Sequence, residues 1–191
     1  MALRASIPET FSIEEYLERE DSAEFRSEYV SGSIFAMAGG TDSHIQISFN
    51  VTKILSEKLR GKCRAYQSEM KVRAEQGNAF YYPDVTLVCG DQNFYRGRRD
   101  VIENPILLVE VLSESTKDYD KNDKFFAYQT IDSFKEYLLI SQSKHAVQQY
   151  IRQPDGNWKI MATIGIESSV YLESVDVEIL TRDIYDLVEI D

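Results

Sequence analysis

The sequence predicts an α/β domain built on a mixed central sheet. Three observations predict this class: amphipathic helical spacing between Thr41 and Gly61, several short apolar runs of strand length, and a nearly continuous apolar run from Ile106 to Leu112. The helical and strand-like runs follow the order helix, three strands, helix, strand. No low-complexity linker or repeat divides the 191 residues, so we expect one domain over residues 1–191.

The N-terminal part predicts a helix and a hairpin before this core. Ser12 and Glu15 have the spacing of a capping box, in which each side chain bonds to the other residue's main-chain N–H. From Phe25 to Met37, two strand-like runs flank a Ser-Gly-Ser segment in which Gly32 allows the positive φ of a tight turn. A short helix followed by a hairpin is therefore expected.

The core elements follow in order. Thr41 or Asp42 caps the amphipathic helix, and Gly61 ends it. Strand composition then predicts three strands and, after a helix, a fourth; the strands are 63–73, 80–89, 106–112 and 136–141, and the helix is 117–130. The predicted core is thus an αβββαβ unit.

The C-terminal part predicts a second hairpin. Residues 146–152 and 158–164 are strand-like and flank Pro154-Asp155-Gly156-Asn157, whose residue types favour turns. Thr181 is in position to cap a last short helix. We expect the hairpin to extend the central sheet.

The chain is acidic, with a formal net charge of −11. Nucleic acid would therefore meet net repulsion unless basic residues gather locally or a divalent metal screens the phosphates. Basic residues do cluster, in one stretch containing Arg96, Arg98 and Arg99 and in a second stretch around the later lysines. The arginines either contact phosphate or form a solvated turn.

The cysteines and the N-terminus limit the cellular compartments in which the protein is expected. Cys63 and Cys89 form no Cys-x-x-Cys pair, which favours free, buried thiols over zinc or a disulfide. The first ten residues have no apolar segment of the signal-peptide type, and no apolar run approaches the length of a membrane span. A cytoplasmic protein that does not enter a membrane is expected.

Glu110 is the most informative residue for function. It interrupts the most apolar strand of the chain, between Val109 and Val111. Burying an unpaired carboxylate is costly, so either a cation or donor compensates it or the side chain points to a less apolar face of the sheet.

Asp84 is the second candidate, because it follows Pro83 within the preceding strand run. Proline cannot donate to a strand ladder and marks a bulge, an edge or a strand start. Two adjacent strands can therefore bring Asp84 and Glu110 together as hard oxygen ligands, which suit Mg²⁺ or Mn²⁺.

A lysine stripe follows Glu110 on the predicted helix. Lys117, Lys121 and Lys124 lie at i, i+4 and i+7, and Tyr128 follows one turn later, so the pattern predicts a common face. This face is either solvated or supplies a lysine that positions water or offsets charge on phosphate.

These residues resemble a known group of proteins. Pro83-Asp84 followed by Glu110-Val111-Leu112, in this order of elements, resembles the PD-(D/E)XK nuclease superfamily with its restriction-endonuclease-like core. The segments from Val109 to Thr116 and from Tyr119 to Tyr128 resemble more narrowly the Uma-two family of endonucleases, as does Glu28-Tyr29-Val30-Ser31-Gly32 with His44. The resemblance covers about residues 10–190.

The resemblance implies a set of site residues. Asp84 and Glu110 are expected to bind Mg²⁺ or Mn²⁺, with the carbonyl of Val111 as a third ligand. The superfamily pattern has lysine two residues after the glutamate, whereas this chain has Leu112 there. The narrower family places the lysine on the next helix, where Lys124 matches and Lys121 competes; Glu28 and His44 match as accessory residues.

Two functions follow from these expectations. In the first, the protein is a metal-dependent nuclease acting on DNA through Asp84, Glu110 and Lys124. In the second, it is a weak or inactive nuclease-fold module for binding or regulation, which the net charge and Leu112 favour. Exposed hairpin edges and twelve tyrosines also permit a homodimer.

Overall fold

The computed structural model describes residues 10–37, 39–76, 78–113 and 117–190. The helices are α1 (Ile13–Ser22), α2 (Asp42–Lys58), α3 (Lys117–Tyr119), α4 (Phe125–Tyr128) and α5 (Thr181–Ile184), and a π-helical segment (Asp120–Lys124) joins α3 to α4. The strands are β1 (Ser27–Val30), β2 (Ser33–Ala36), β3 (Cys63–Gln67), β4 (Lys71–Ala74), β5 (Ala79–Tyr81), β6 (Val85–Cys89), β7 (Val101–Ile102), β8 (Leu107–Leu112), β9 (Glu136–Ser141), β10 (Ala146–Arg152), β11 (Trp158–Ile164), β12 (Ser169–Leu172) and β13 (Val177–Leu180).

The strands form two larger sheets and one separate hairpin. The six-stranded sheet has the order β11-β10-β9-β8-β6-β3, and β8 and β9 are its parallel pair. The five-stranded sheet has the order β2-β1-β5-β4-β7, and β12 pairs with β13. The predicted α/β class with a mixed central sheet is confirmed, but part of the expected sheet forms a second sheet of its own.

The central strands β6, β8 and β9 of the six-stranded sheet are buried on both faces, whereas its edge strand β11 is mostly exposed. Helix α2 packs its apolar stripe on one face, where Ile47, Val51 and Leu55 meet Val85 and Val109. The hairpin β12–β13 and α5 cover the rest of that face. On the other face, side chains of the five-stranded sheet and of the 117–128 helical region pack against the same strands, among them Val72, Tyr81, Phe125, Tyr128, Leu108, Tyr137 and Leu139.

Helix α1 covers the outer face of the five-stranded sheet. Its predicted capping box is present, since Ser12 Oγ accepts from Glu15 N and Glu15 accepts from Ser12 N. Tyr16 and Leu17 pack on Tyr29 and Phe80. The inner face of this sheet therefore turns toward the six-stranded sheet.

Several predicted strands have other boundaries. The run 63–73 is two strands in different sheets, because a turn between Gln67 and Met70 separates β3 from β4. The run 80–89 is also two strands, since Pro83 has no N–H for the ladder and β6 begins only at Val85. Strands β7, β12 and β13 were missed because each is short and pairs outside the predicted core.

The helix predictions are confirmed with two corrections. Thr41 caps α2 by accepting from His44 N. The cap predicted for the last helix is wrong, because Thr181 is its first helical residue and Leu180 precedes it. The 117–130 helix is interrupted by a π-helical segment. Residues Glu114 to Thr116 of the family-like segment lie outside the described residues.

The prediction of free thiols is wrong. Cys63 and Cys89 face each other in the antiparallel β3–β6 pair and form a disulfide. Their separation of 26 residues gave no sign of this pairing, which depends on the register of two strands. Among the described residues, no helix is both long and apolar enough to cross a membrane.

Candidate functional site

Glu110 lies on β8, on the face of the six-stranded sheet that packs against the helical region. The residue is only 4% exposed, so its carboxylate needs the compensation by a cation or donor that was considered from the sequence. Glu110 Oε1 accepts from Tyr128 OH at 3.0 Å and from Lys124 Nζ at 3.3 Å. Both donors reach the same oxygen.

The acids around Glu110 make its charged form unfavourable. Burial raises the pKa of Glu110, and although Lys124 lowers it, the negative charges of Asp120, Asp84 and Glu28 raise it again. The net pKa lies well above the usual range for glutamate. This is an electrostatic environment that favours an additional cation.

Asp84 lies directly before β6, beside the strand β8 that carries Glu110. Val85 pairs with Val109 in the antiparallel β6–β8 ladder. Asp84 Oδ2 accepts from Val111 N at 2.6 Å, which ties the end of β6 to β8.

His44 holds the other oxygen of Asp84. It lies in the first turn of α2, and its Nε2 is 2.7 Å from Asp84 Oδ1. Burial lowers the pKa of His44, but the hydrogen bond and charge of Asp84 outweigh burial and raise it above the usual value. His44 is thus placed to orient Asp84 from the helix side.

Lys124 joins the two sheets. Lys124 is the last residue of the π-helical segment and is buried. Its Nζ lies 3.0 Å from Glu28 Oε1 and 3.3 Å from Glu110 Oε1. Burial lowers the pKa of Lys124, but these acids and Asp120 raise it well above the usual value. The ammonium is therefore charged and central to the cluster.

The residues of the predicted lysine stripe differ in burial. Lys124 and Tyr128 point inward to Glu110, whereas Lys121 is only half-buried. The inward face instead follows Asp120, Lys124 and Tyr128, each four residues apart. Of the two lysines left open by the sequence, Lys124 is the one that contacts the acids.

Glu28 reaches the cluster from the five-stranded sheet. Besides its ion pair with Lys124, its Oε1 accepts from Tyr82 N at 3.3 Å. It is buried on β1. Strands of both sheets thus contribute acids to one cluster.

The sequence did not single out Asp120. Its carboxylate is buried, and its Oδ1 lies 3.4 Å from Lys124 Nζ at i,i+4 spacing. That spacing before Lys124 was a signal that could have identified it. The cluster then holds four carboxylates against one lysine and His44.

The chain matches a protein-family model over residues 13–181. The family, Uma2, carries the description "Putative restriction endonuclease". The chain belongs to the Uma2 family.

The similar proteins extend over most of this Uma2 chain. The uncharacterized protein sll1609 of Synechocystis is 32% identical over 157 residues, which are 82% of this chain and 89% of the relative. Protein slr1290 of the same organism is 34% identical over 151 residues, 78% of each chain. Neither name describes an activity.

A solved structure has the same fold as this Uma2 protein. The crystal structure from Anabaena variabilis is described as a "putative nuclease belonging to DUF820". It superposes with a TM-score of 0.74 at 16% identity, covering 94% of this chain and 99% of that one. The likeness confirms the restriction-endonuclease-like fold class.

The arginine cluster of this Uma2 protein is engaged by acids. Arg96 pairs with Glu14 at 2.7 Å, and Arg98 pairs with Asp21 and Asp100. Helix α1 supplies Glu14 and Asp21. Arg96 and Arg98 therefore connect α1 to the loop before β7, and they also lie in a turn that is open to solvent.

Among the described residues, no three His, Cys, Asp or Glu side chains are grouped as a metal-binding cluster. The expected set, however, contains only two carboxylates, from Asp84 and Glu110, with a main-chain carbonyl as the third donor. The chemistry of the donors fits Mg²⁺ or Mn²⁺, because carboxylates are hard ligands and the surrounding charge is negative in excess.

Proposed function

We propose that this Uma2 protein is a metal-dependent nuclease that hydrolyses phosphodiester bonds, with DNA as substrate. One observation carries the proposal: Asp84, directly before β6, is hydrogen-bonded to the main chain of Val111 next to Glu110, and Glu110 contacts a buried Lys124 within an excess of carboxylates. The family description and the nuclease description of the Anabaena structure support the same reaction.

Asp84, Glu110 and the carbonyl of Val111 would hold the ion. A bound Mg²⁺ or Mn²⁺ supplies Lewis-acid polarisation of the phosphate and lowers the pKa of a water molecule. The raised pKa of Glu110 agrees with this role, because a nearby cation compensates the repulsion from the other acids.

The other residues position these groups. His44 and Val111 N bind the two oxygens of Asp84 and so set the orientation of its carboxylate. Tyr128 and Lys124 do the same for Glu110. Lys124 is also placed to offset negative charge on the phosphate or to orient the attacking water. Glu28 and Asp120 hold the ammonium in place.

A nuclease-fold module for binding or regulation is the second candidate. Both oxygens of Asp84 are already hydrogen-bonded, and Lys124 is paired with three acids. A buried polar cluster with a purely structural role also needs its hydrogen-bonding and charged groups to be paired within the protein. Leu112, in the place of the superfamily lysine, favours this candidate as well.

Plasmid nicking separates the two functions. We expect the purified protein to nick DNA with Mg²⁺ or Mn²⁺ and not with a chelator. Asp84→Asn and Glu110→Gln should lower the rate by about 100-fold or more, the size of effect seen when one electrostatic contribution to catalysis is lost. Glu136→Gln is the matched control, because Glu136 is a buried glutamate of the adjacent strand.

An unaltered rate in the Asp84 and Glu110 variants would contradict the nuclease assignment. Absence of cleavage of both plasmid and single-stranded DNA by the parent, with either ion, would favour the module instead.

We also propose that the protein forms a homodimer through the edge strand β11. Ile160, Met161 and Ile164 are exposed on this strand, whose only charged residue is Lys159. In antiparallel pairing of two copies centred on Met161, Lys159 lies opposite Thr163, so no like charges meet. Light scattering after gel filtration should give the molar mass of a dimer for the parent and of a monomer for Met161→Lys. A monomeric parent would contradict the proposed dimer.

A further inference from the structure

The strand β2 places an aromatic side chain beside the proposed active site. Phe35 is the direct partner of Glu28 in the antiparallel β1–β2 pair. Because opposite residues of such a pair point to the same face, Phe35 lies on the face from which Glu28 reaches Lys124. The alternate residues Tyr29 and Ile34 lie on the opposite face, under α1.

Phe35 is open to solvent although it lies on the inner face. It is 52% exposed, and β2 is an edge strand of the five-stranded sheet. An exposed phenyl ring next to buried acids is unfavourable in water and gains free energy when another planar group covers it.

A second ring borders the same cluster. The ring of Tyr119 lies 6.0 Å from Lys124 Nζ. Glu28 reaches the same Lys124 Nζ, at 3.0 Å. Tyr119 is half-buried and so keeps part of its surface open.

The charge distribution is unfavourable for a long duplex. Duplex binding depends on many lysine and arginine contacts to phosphate, whereas this chain has a net charge of −11. Arg96 and Arg98 are neutralised by acids. Binding of unpaired strands relies in addition on stacking of bases on aromatic rings, which tolerates a less basic surface.

We infer that the proposed nuclease site takes an unpaired DNA strand, with a base next to the scissile phosphate stacked on Phe35 and Tyr119 at the site's border. The inference rests on the proposed function for the position of the phosphate. In a duplex the bases already stack on each other, and a base must be extruded before it can cover Phe35. Phe35 is therefore the specificity-determining residue for the form of the substrate.

The test is fluorescence anisotropy with a short labelled DNA oligonucleotide, single-stranded or annealed to its complement, with Ca²⁺ in place of Mg²⁺. The parent should bind the single strand more tightly. Phe35→Ala should weaken single-strand binding about 5- to 150-fold, the range expected when one base loses its aromatic partner, and leave duplex binding unchanged. Phe35→Trp should restore it, because the stacking surface is kept.

Phe126→Ala is the matched control. Phe126 is 66% exposed and lies two residues after Lys124, so it points away from the cluster, and its removal should not alter binding. Equal affinity of the parent for both DNA forms, binding of neither, or an unaffected Phe35→Ala variant would overturn the inference.

Cleavage of the same two oligonucleotides with Mn²⁺ separates this inference from the nuclease function. If Phe35-dependent single-strand binding occurs without cleavage, the nuclease proposal fails and the stacking surface stands. If the parent cleaves duplex as fast as single strand and Phe35→Ala does not change either rate, the nuclease proposal stands and the preference for an unpaired strand fails.

Discussion

Glu110 and Glu136 lie on the neighbouring parallel strands β8 and β9, and both are buried. Glu136 accepts hydrogen bonds from four donors: Gln149 Nε2, Glu173 N, Ser174 N and Ser174 Oγ. Burial raises its pKa, and these four hydrogen bonds oppose the rise. Glu110 has two donors and three acids nearby.

The difference shows how a structural carboxylate is distinguished from a candidate functional one. Burial alone does not distinguish them, because both glutamates are buried in strands. At Glu136 the protein itself supplies donors to both oxygens, whereas at Glu110 it supplies one cation within an excess of negative charge. A buried carboxylate within an excess of negative charge is expected where an external ligand completes the site.

The largest expected effect on stability is at Lys124. Lys124→Met would leave Glu28, Glu110 and Asp120 buried together without their shared cation. The loss of one partner of a buried ion pair costs about 3–5 kcal/mol, so we expect the free energy of unfolding to fall by that amount. Urea unfolding measures it.

The control for that measurement is Lys121→Met, on the same helical region but outside the acid cluster. It should change stability by about 0.5 kcal/mol or less. Equal effects of the two substitutions would show that the cluster does not depend on Lys124.

The next effect separates the two glutamates directly. In Glu136→Gln, the amide NH₂ must face at least one main-chain N–H, of Glu173 or Ser174, whichever way it is turned. An unsatisfied buried donor costs about 1–3 kcal/mol, so the melting temperature should fall. In Glu110→Gln, the amide oxygen still accepts from Tyr128 and Lys124 and one negative charge is removed, so stability should be kept or raised.

Thermal unfolding of both variants followed by circular dichroism checks this contrast. A loss of stability in Glu110→Gln as large as in Glu136→Gln would mean that Glu110 is a structural residue of the same kind.

The smallest effect concerns an ion pair at the surface. Burial raises the pKa of Asp100, but hydrogen bonds from Arg98 and Lys71 outweigh it and lower the pKa to about 2. A lowered folded-state pKa contributes stability above the unfolded value of 3.8, and this contribution is lost as the pH falls from about 4 to about 2. Because Asp100 is 41% exposed, solvent screening limits the effect to about 1 kcal/mol or less.

Urea unfolding of Asp100→Asn and the parent across this pH range measures the effect. The parent should be the more stable protein near neutral pH, and the difference should shrink in acid. A difference that grows as the pH falls would contradict the assigned direction of the pKa.

Local patterns in the sequence predicted much of the fold. The capping box of Ser12 and Glu15, the turn at Gly32 and the β9 to β11 boundaries depend on neighbours along the chain, and the structure has them where expected. Glu110 was identifiable because a charge within an apolar strand needs compensation wherever the strand lies.

Long-range pairing could not be predicted in the same way. The Cys63–Cys89 disulfide and the split of the sheet depend on strand register, which no local pattern specifies. The approach of Glu28 to Lys124 depends on the packing of two sheets. Asp120 was overlooked because only the lysines were considered at the i,i+4 spacing that also joins Asp120 to Lys124.

The most direct test of the central claim is calorimetric titration of the protein with Mn²⁺. If Asp84 and Glu110 hold one ion, the parent should bind one equivalent, Asp84→Asn and Glu110→Gln should lose that binding, and Glu136→Gln should retain it. Absence of binding by the parent, or equal binding by the Glu110→Gln variant, would contradict the claim that these two carboxylates form a metal site.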